Sequence, residues 1–180
     1  MAPRILLLDA CVLINLAATN RLADIADSRD TSFLLTQQAA GEAGYLRDVV
    51  GGELVTTPID LSQHAGAGTL QIVNLTPAEY PTYIQLASVI DDGEASTIAV
   101  AVARNLPLAT DDRKARRVCE QQGIPEPTRT LSLVHDHADA VGLDHATIRD
   151  LLIKIRDRAS FLPPRNDPDY KRWNDHFSDP

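Results

Sequence analysis

The sequence predicts an α/β fold with a central parallel sheet flanked by helices, in three layers, and three observations carry that reading. Residues 5–8 are an uninterrupted apolar run, as expected of a strand buried on both faces in a parallel sheet. Residues 95–103 are apolar on nearly every side apart from Ser96 and Thr97, which marks a helix buried at the centre. Around them, short strands alternate with helical patterns, the order that builds a parallel sheet by crossovers. At 180 residues and 19.6 kDa the chain suits one domain with a full core.

Taken in order, the strand at residues 5–8 ends at Asp9, and Val12, Leu13 and Leu16 continue with helical spacing. Residues 21–27 predict a short helix and 32–36 a second strand. Residues 37–50 read as one helix with Ala39, Ala43, Leu46 and Val50 inward. Glu42 lies among them, between Gly41 and Gly44; such glycines each cost a helix about 1 kcal/mol and point to close approach of a backbone or ligand. Residues 51–68 are the least legible, with strands expected at 53–57 and 70–75.

Thr76-Pro77 predicts a helix start, running through Tyr83, Leu86 and Ile90. Glu94 falls in the first turn of the buried helix, where the helix dipole favours negative charge. A short strand then ends at Thr110, followed at once by Asp111 and Asp112 and a helix over residues 113–122. Further helices are predicted at 131–141 and from Asp144 to Arg158, with Ile148, Leu151, Leu152 and Ile155 as the stripe of the last. Residues 163–180 are polar and proline-rich, either disordered or an arm packed through Tyr170, Trp173 and Phe177.

The formal charge of -8 argues against a general grip on nucleic acid through a positive field. It leaves room for a local basic rim around an acidic pocket filled by a metal. Cys11 and Cys119 lack paired spacing, and no segment has the length of a signal-peptide core or a membrane span. A soluble, cytoplasmic protein is the expectation, with no membrane partner. His135 and His137 are two residues apart and face different sides of a helix, so they do not read as a metal pair. Cys119 reads as a core residue.

Asp9, Glu42, Glu94 and Asp111 or Asp112 fall at strand ends or on helices beside the edge where open α/β sheets carry their sites. Two carboxylates about 4 Å apart repel by roughly 4 kcal/mol at an effective dielectric near 20, so such a cluster protonates, scatters or binds a cation. Oxygen-only ligands select a hard ion, Mg²⁺ or Mn²⁺. Metal-dependent phosphodiester hydrolysis is the chemistry that fits. Arg113, Lys114, Arg116 and Arg117 follow directly and are candidates for nucleic-acid phosphates.

The segments LLLDACVLINLA and DDGEASTIAVAVARNLPLATDDRKARRV, read together, resemble the opening and the second half of the PIN-domain family, in its branch with Gly-Glu before the central helix. The likeness spans residue 4 to about 159, giving a PIN-like nuclease domain at 1–160 and a tail at 161–180. It implies an endoribonuclease of the VapC toxin type, with a metal-activated water attacking RNA, a homodimer, and a small antitoxin that blocks the site. Residue by residue, Asp9 matches the first family acid, Glu42 the second by its place in the helix, and Glu94 the third. The fourth falls at Asp111 or Asp112, with Asp112 favoured by its spacing from Thr110. Cys11 departs from the small polar residue usual two positions after the first aspartate. Two other readings share these residues: a non-catalytic binding module that kept the fold, and a DNA-directed nuclease.

Overall fold

The computed structural model describes residues 4–178; the ends of the expected domain and tail, residues 1–3 and 179–180, lie outside them. In chain order the first elements are β1 (Arg4–Leu8), α1 (Ala10–Ala18), α2 (Leu22–Ser28), β2 (Thr31–Thr36), α3 (Gln37–Glu42), β3 (Tyr45–Val50), β4 (Glu53–Pro58) and α4 (Leu61–Gly66). They are followed by β5 (Leu70–Val73), α5 (Tyr80–Ala87), α6 (Asp92–Arg104), β6 (Leu108–Ala109), α7 (Arg113–Gln121), α8 (Thr130–Val141), α9 (His145–Arg158) and α10 (Pro168–Asp175).

Four of the strands form one sheet in the order β5-β2-β1-β6, and every pairing in it is parallel. Leu7 sits at its centre, paired with Leu34 on one side and Leu108 on the other. Alternation along the strands splits the core in two. Leu6, Leu8, Phe33 and Leu35 pack into one layer with α1, α2, α8 and α9. Leu7 and Leu34 pack into the other with α5, α6 and α7. This is the expected α/β sandwich.

The sheet's connectivity places the site. From β1 the chain moves outward to β2 and β5, then crosses back to lay β6 on the far side of β1. The carboxyl ends of β1 and β6 are therefore where strand order reverses, the position at which open α/β sheets leave a crevice. Asp9 follows β1, and Asp111 and Asp112 follow β6.

Three expectations are corrected. Residues 37–50 are not one helix: α3 stops at Glu42, and Tyr45 begins an antiparallel hairpin of β3 and β4. The Gly51-Gly52 turn decides this, because both residues take positive φ (62° and 88°), the conformation a two-residue hairpin loop demands. Val50, expected inside, is exposed. The helix expected from Thr76 starts instead at Tyr80, since the Thr76 N–H donates to Glu79 Oε2 (2.7 Å) in a separate turn while Arg104 Nε pairs with Glu79 Oε1 (2.7 Å). No strict close approach occurs at Gly41 or Gly44; a Cβ at Gly41 meets nothing within 4 Å.

The C-terminal segment is packed. Trp173 of α10 is buried in the same layer as α8 and α9 and meets Phe161 edge-on, with ring centroids 6.1 Å apart. Among the described residues no helix is long and apolar enough to cross a membrane.

His176, directly after α10, packs at a tilt against His135 of α8 and His145 of α9, with ring centroids 5.0 and 4.6 Å away. Burial pushes the His135 imidazole from its ordinary 6.5 down to about 4, with Arg172 and His176 adding to the effect. A base held down in the folded state is protonated more readily when unfolded. Its contribution to stability is whole above pH 6.5 and is lost as pH falls towards 4. The melting temperature is therefore expected to drop across that window, and His135→Leu to flatten the drop; an identical slope in variant and parent would refute the assignment.

Candidate active site

Asp9 is 3% exposed and its Oδ2 is held by two donors: Thr110 Oγ1 at 2.7 Å and the Cys11 thiol at 3.2 Å. Thr110 reaches it from the end of β6, so this hydrogen bond joins the two strands at the switch point. Burial raises the Asp9 carboxyl above the ordinary carboxylate range against the pull of both donors. Cys11, where the family has a small polar residue, thus still supplies a polar contact, although burial pushes its own thiol well up.

The adjacent acids Asp111 and Asp112 do different work. Asp111 Oδ1 accepts from the Thr130 N–H (3.0 Å), and its Oδ2 from Thr130 Oγ1 (2.5 Å) and Asn15 Nδ2 (2.9 Å). Both oxygens are engaged at the start of α8, where Asp111 serves the helix as a cap from outside it. Asp112 caps α7 with one oxygen only: Oδ1 accepts from the Ala115 N–H at 2.7 Å. Its Oδ2 accepts no hydrogen bond from the described residues.

Glu94 and Glu42 approach through α6 and α3. A small cleft is lined by Asp9, Glu94, Thr97, Ile98, Leu108, Thr110 and Ala115. Burial first, then the charges of Asp112, Asp9 and Asp91, push the Glu94 carboxyl up to about 7. Glu42 Oε1 accepts from the Gly93 N–H at 2.7 Å. A Cβ on Gly93 would lie 2.1 Å from Glu42 Oε2, so the close approach that glycine permits is here. Ser96 and Thr97 both donate to the Gly93 carbonyl, at 2.9 and 2.8 Å, fixing that peptide. Burial raises Glu42 as well, and Asp9, Asp91 and Asp92 add to it.

Asp9, Glu94 and Asp112 thus influence one another at the crevice, Glu42 borders it through Gly93, and Asp111 is turned to α8. Three residues that sequence reasoning missed hold the acids in place: Thr110, Thr130 and Asn15. Asn15 left a signal, being the one amide in an otherwise apolar helix.

Among the described residues no three His, Cys, Asp or Glu side chains already form a coordination cage. The donor chemistry nevertheless fits a hard divalent ion. Mg²⁺ keeps several of its waters and commonly takes only one or two carboxylates directly. Among the described residues, Asp9 and Asp112 each have an oxygen that accepts no side-chain hydrogen bond, and the raised Glu94 has no salt-bridge partner.

A family model described as a PIN domain matches residues 5–165. The chain belongs to the PIN-domain family. PIN domains are generally nucleases, hydrolases of phosphodiester bonds, in agreement with an acidic crevice at the end of a parallel sheet. No curated protein sequence matches this PIN domain.

The basic run divides by exposure. Arg113, Lys114 and Arg117 are exposed on α7, whereas Arg116 is half-buried and donates to the Asp111 carbonyl at 2.7 Å. Together with Ile124 and Pro127 the arginines line an open groove of about 460 Å³, which also carries Glu120 and Glu126.

An acid raised to about 7 from an ordinary 4.5 favours the folded state while protonated, and that contribution is lost as pH rises from 4.5 through 7. In the presence of a chelator, Glu94→Gln is expected to melt higher than the parent protein above pH 7, with the gap closing as pH falls to 4.5. A variant that melts lower at pH 8 would show that Glu94 is stabilised there by its surroundings.

Proposed function

We propose that this PIN domain is a Mg²⁺- or Mn²⁺-dependent endoribonuclease, and that it acts as the toxin of a toxin–antitoxin pair, as a cytoplasmic homodimer. The observation that carries the nuclease reading is that Asp9 and Glu94 line one cleft at the β1–β6 switch point, with the Asp112 charge acting on both and Glu94 raised to about 7. The toxin, antitoxin and homodimer rest on the resemblance of residues 6–17 and 91–118 to VapC-type proteins.

Asp9, Glu94 and Asp112 are the residues that would hold the ion, with Glu42 at its border. Once bound, such an ion lowers the pKa of a coordinated water and neutralises charge on the scissile phosphate. Thr110 and Cys11 restrain Asp9 through one oxygen, so the carboxylate is oriented before ligand arrives. The cap to Ala115 does the same for Asp112. Glu94, raised by burial and by the charges of Asp112 and Asp9, is the carboxylate whose ionised form a cation at this position would favour most. The N-terminus of α7 and its exposed Arg113, Lys114 and Arg117 offer contacts to phosphates on one side of the cut.

Purified protein incubated with RNA and Mn²⁺ tests this, beside Asp9→Asn, Glu94→Gln, Asp112→Asn and Asp111→Ala. Each of the first three is expected to lower the rate by about a hundredfold or more, as loss of an electrostatic contact to the reacting group does. Asp111→Ala is expected to act chiefly on stability, lowering it by about 1 kcal/mol through the lost cap of α8. Equal cleavage by the parent and Asp9→Asn would reject the site; preferential inhibition by competing DNA would move the reading to a DNA-directed nuclease.

A further inference from the structure

Asp167 lies just beyond the residues matched by the family, 5–165, and heads α10. Its two oxygens are shared between arginines from different parts of the chain. Oδ2 accepts from Arg116 Nη2 at 3.1 Å, and Oδ1 from Arg129 Nη1 at 2.9 Å. The three side chains are largely withdrawn from solvent, at 9% exposure for Asp167, 14% for Arg116 and 15% for Arg129. In such surroundings charge-assisted hydrogen bonds are strong and geometrically demanding.

What the arginines hold gives the triad its meaning. Arg116, on α7, uses Nη1 to grip the carbonyl of Asp111. Arg129 is the N-cap residue of α8, directly before Thr130, whose N–H and hydroxyl hold the Asp111 carboxylate. Two acids adjacent in sequence thus cap two different helices, Asp112 for α7 and Asp111 for α8. One carboxylate of the arm bridges the arginines belonging to those same two helix starts. Trp173, buried six residues later, keeps the arm from drifting.

We propose that Asp167 is a positioning residue: through Arg116 and Arg129 it fixes the N-termini of α7 and α8 relative to each other and thereby sets the Asp112 carboxylate in the crevice. The inference rests on the nuclease reading. It also assigns Arg116 to the brace and leaves phosphate contact to Arg113, Lys114 and Arg117.

Two variants of the full chain test it. Asp167→Asn keeps size and the α10 cap while removing the charge; Arg116→Met cuts one leg and leaves Asp167 paired with Arg129. Turnover is measured at varying RNA and Mn²⁺, together with amide exchange at Ala115, the donor to Asp112, and the near-ultraviolet signal of Trp173, the sole tryptophan. Both variants are expected to lose about tenfold in kcat, as misplacement of a reacting group does, with KM for RNA little changed, faster exchange at Ala115 and a native Trp173 signal. Unchanged kcat or unchanged exchange overturns the proposal. So does a raised KM at constant kcat, which makes Arg116 a phosphate contact, and so does loss of the Trp173 signal in both variants, which makes the triad purely structural. If the parent protein cleaves no RNA, the nuclease reading falls and exchange alone decides the brace: faster exchange in the variants sustains it, and equal exchange removes it.

Discussion

Like charges gather at one end of a sheet only where donors restrain them, and the candidate acids of this protein depend on helix starts for that restraint. Because the four sheet strands run parallel, α1, α3 and α7, which follow β1, β2 and β6, begin on the same side, and the starts of α6 and α8, reached from α5 and α7, hold acids there as well. α1 starts after Asp9, α6 at Asp92, α7 after Asp112 and α8 beside Asp111. Unsatisfied N–H groups and the positive ends of helix dipoles are thereby concentrated where the carboxylates are. The Gly93 and Ala115 amides serve Glu42 and Asp112 directly.

This restraint is geometric more than electrostatic, as the acids elsewhere in the molecule show. Glu79 is held below its ordinary range by the hydrogen bond from Arg104, and Asp48 by the one from Arg158. Asp9, Glu42 and Glu94 all move the other way, because burial and neighbouring acids outweigh their donors. Glu79 and Asp48 are each paired with an arginine. The carboxylates at the β1–β6 junction are given hydroxyls and amides, which orient an anion without cancelling its charge.

The sheet and the main acids were legible because their signals are local. An apolar run ending in Asp9, and a buried helix led by Gly93-Glu94, each carry their meaning in a few consecutive residues. The hairpin is hidden because Ala39, Ala43 and Leu46 share a helical spacing although Leu46 lies in a strand; the Gly51-Gly52 pair, preceded by the β-branched Val49 and Val50, is the contrary sign. Spacing from Thr110 favours Asp112 over Asp111, while what turns Asp111 away from the crevice lies beyond local sequence. That turn depends on Thr130 and Asn15, 19 and 96 residues away from Asp111. The same holds for the glycines near Glu42: composition drew attention to Gly41 and Gly44, while the crowded one is Gly93, 51 residues from Glu42.

The β3–β4 ribbon joins the rest of the chain at Glu42's own helix, yet its far end carries exposed Val49, Val50 and Leu54 and belongs to neither core layer. Root and tip thus answer to different physical constraints. Substitutions at the tip change an exposed apolar surface at little expense to the interior, whereas those around residues 42–45 shift an acid bordering the crevice.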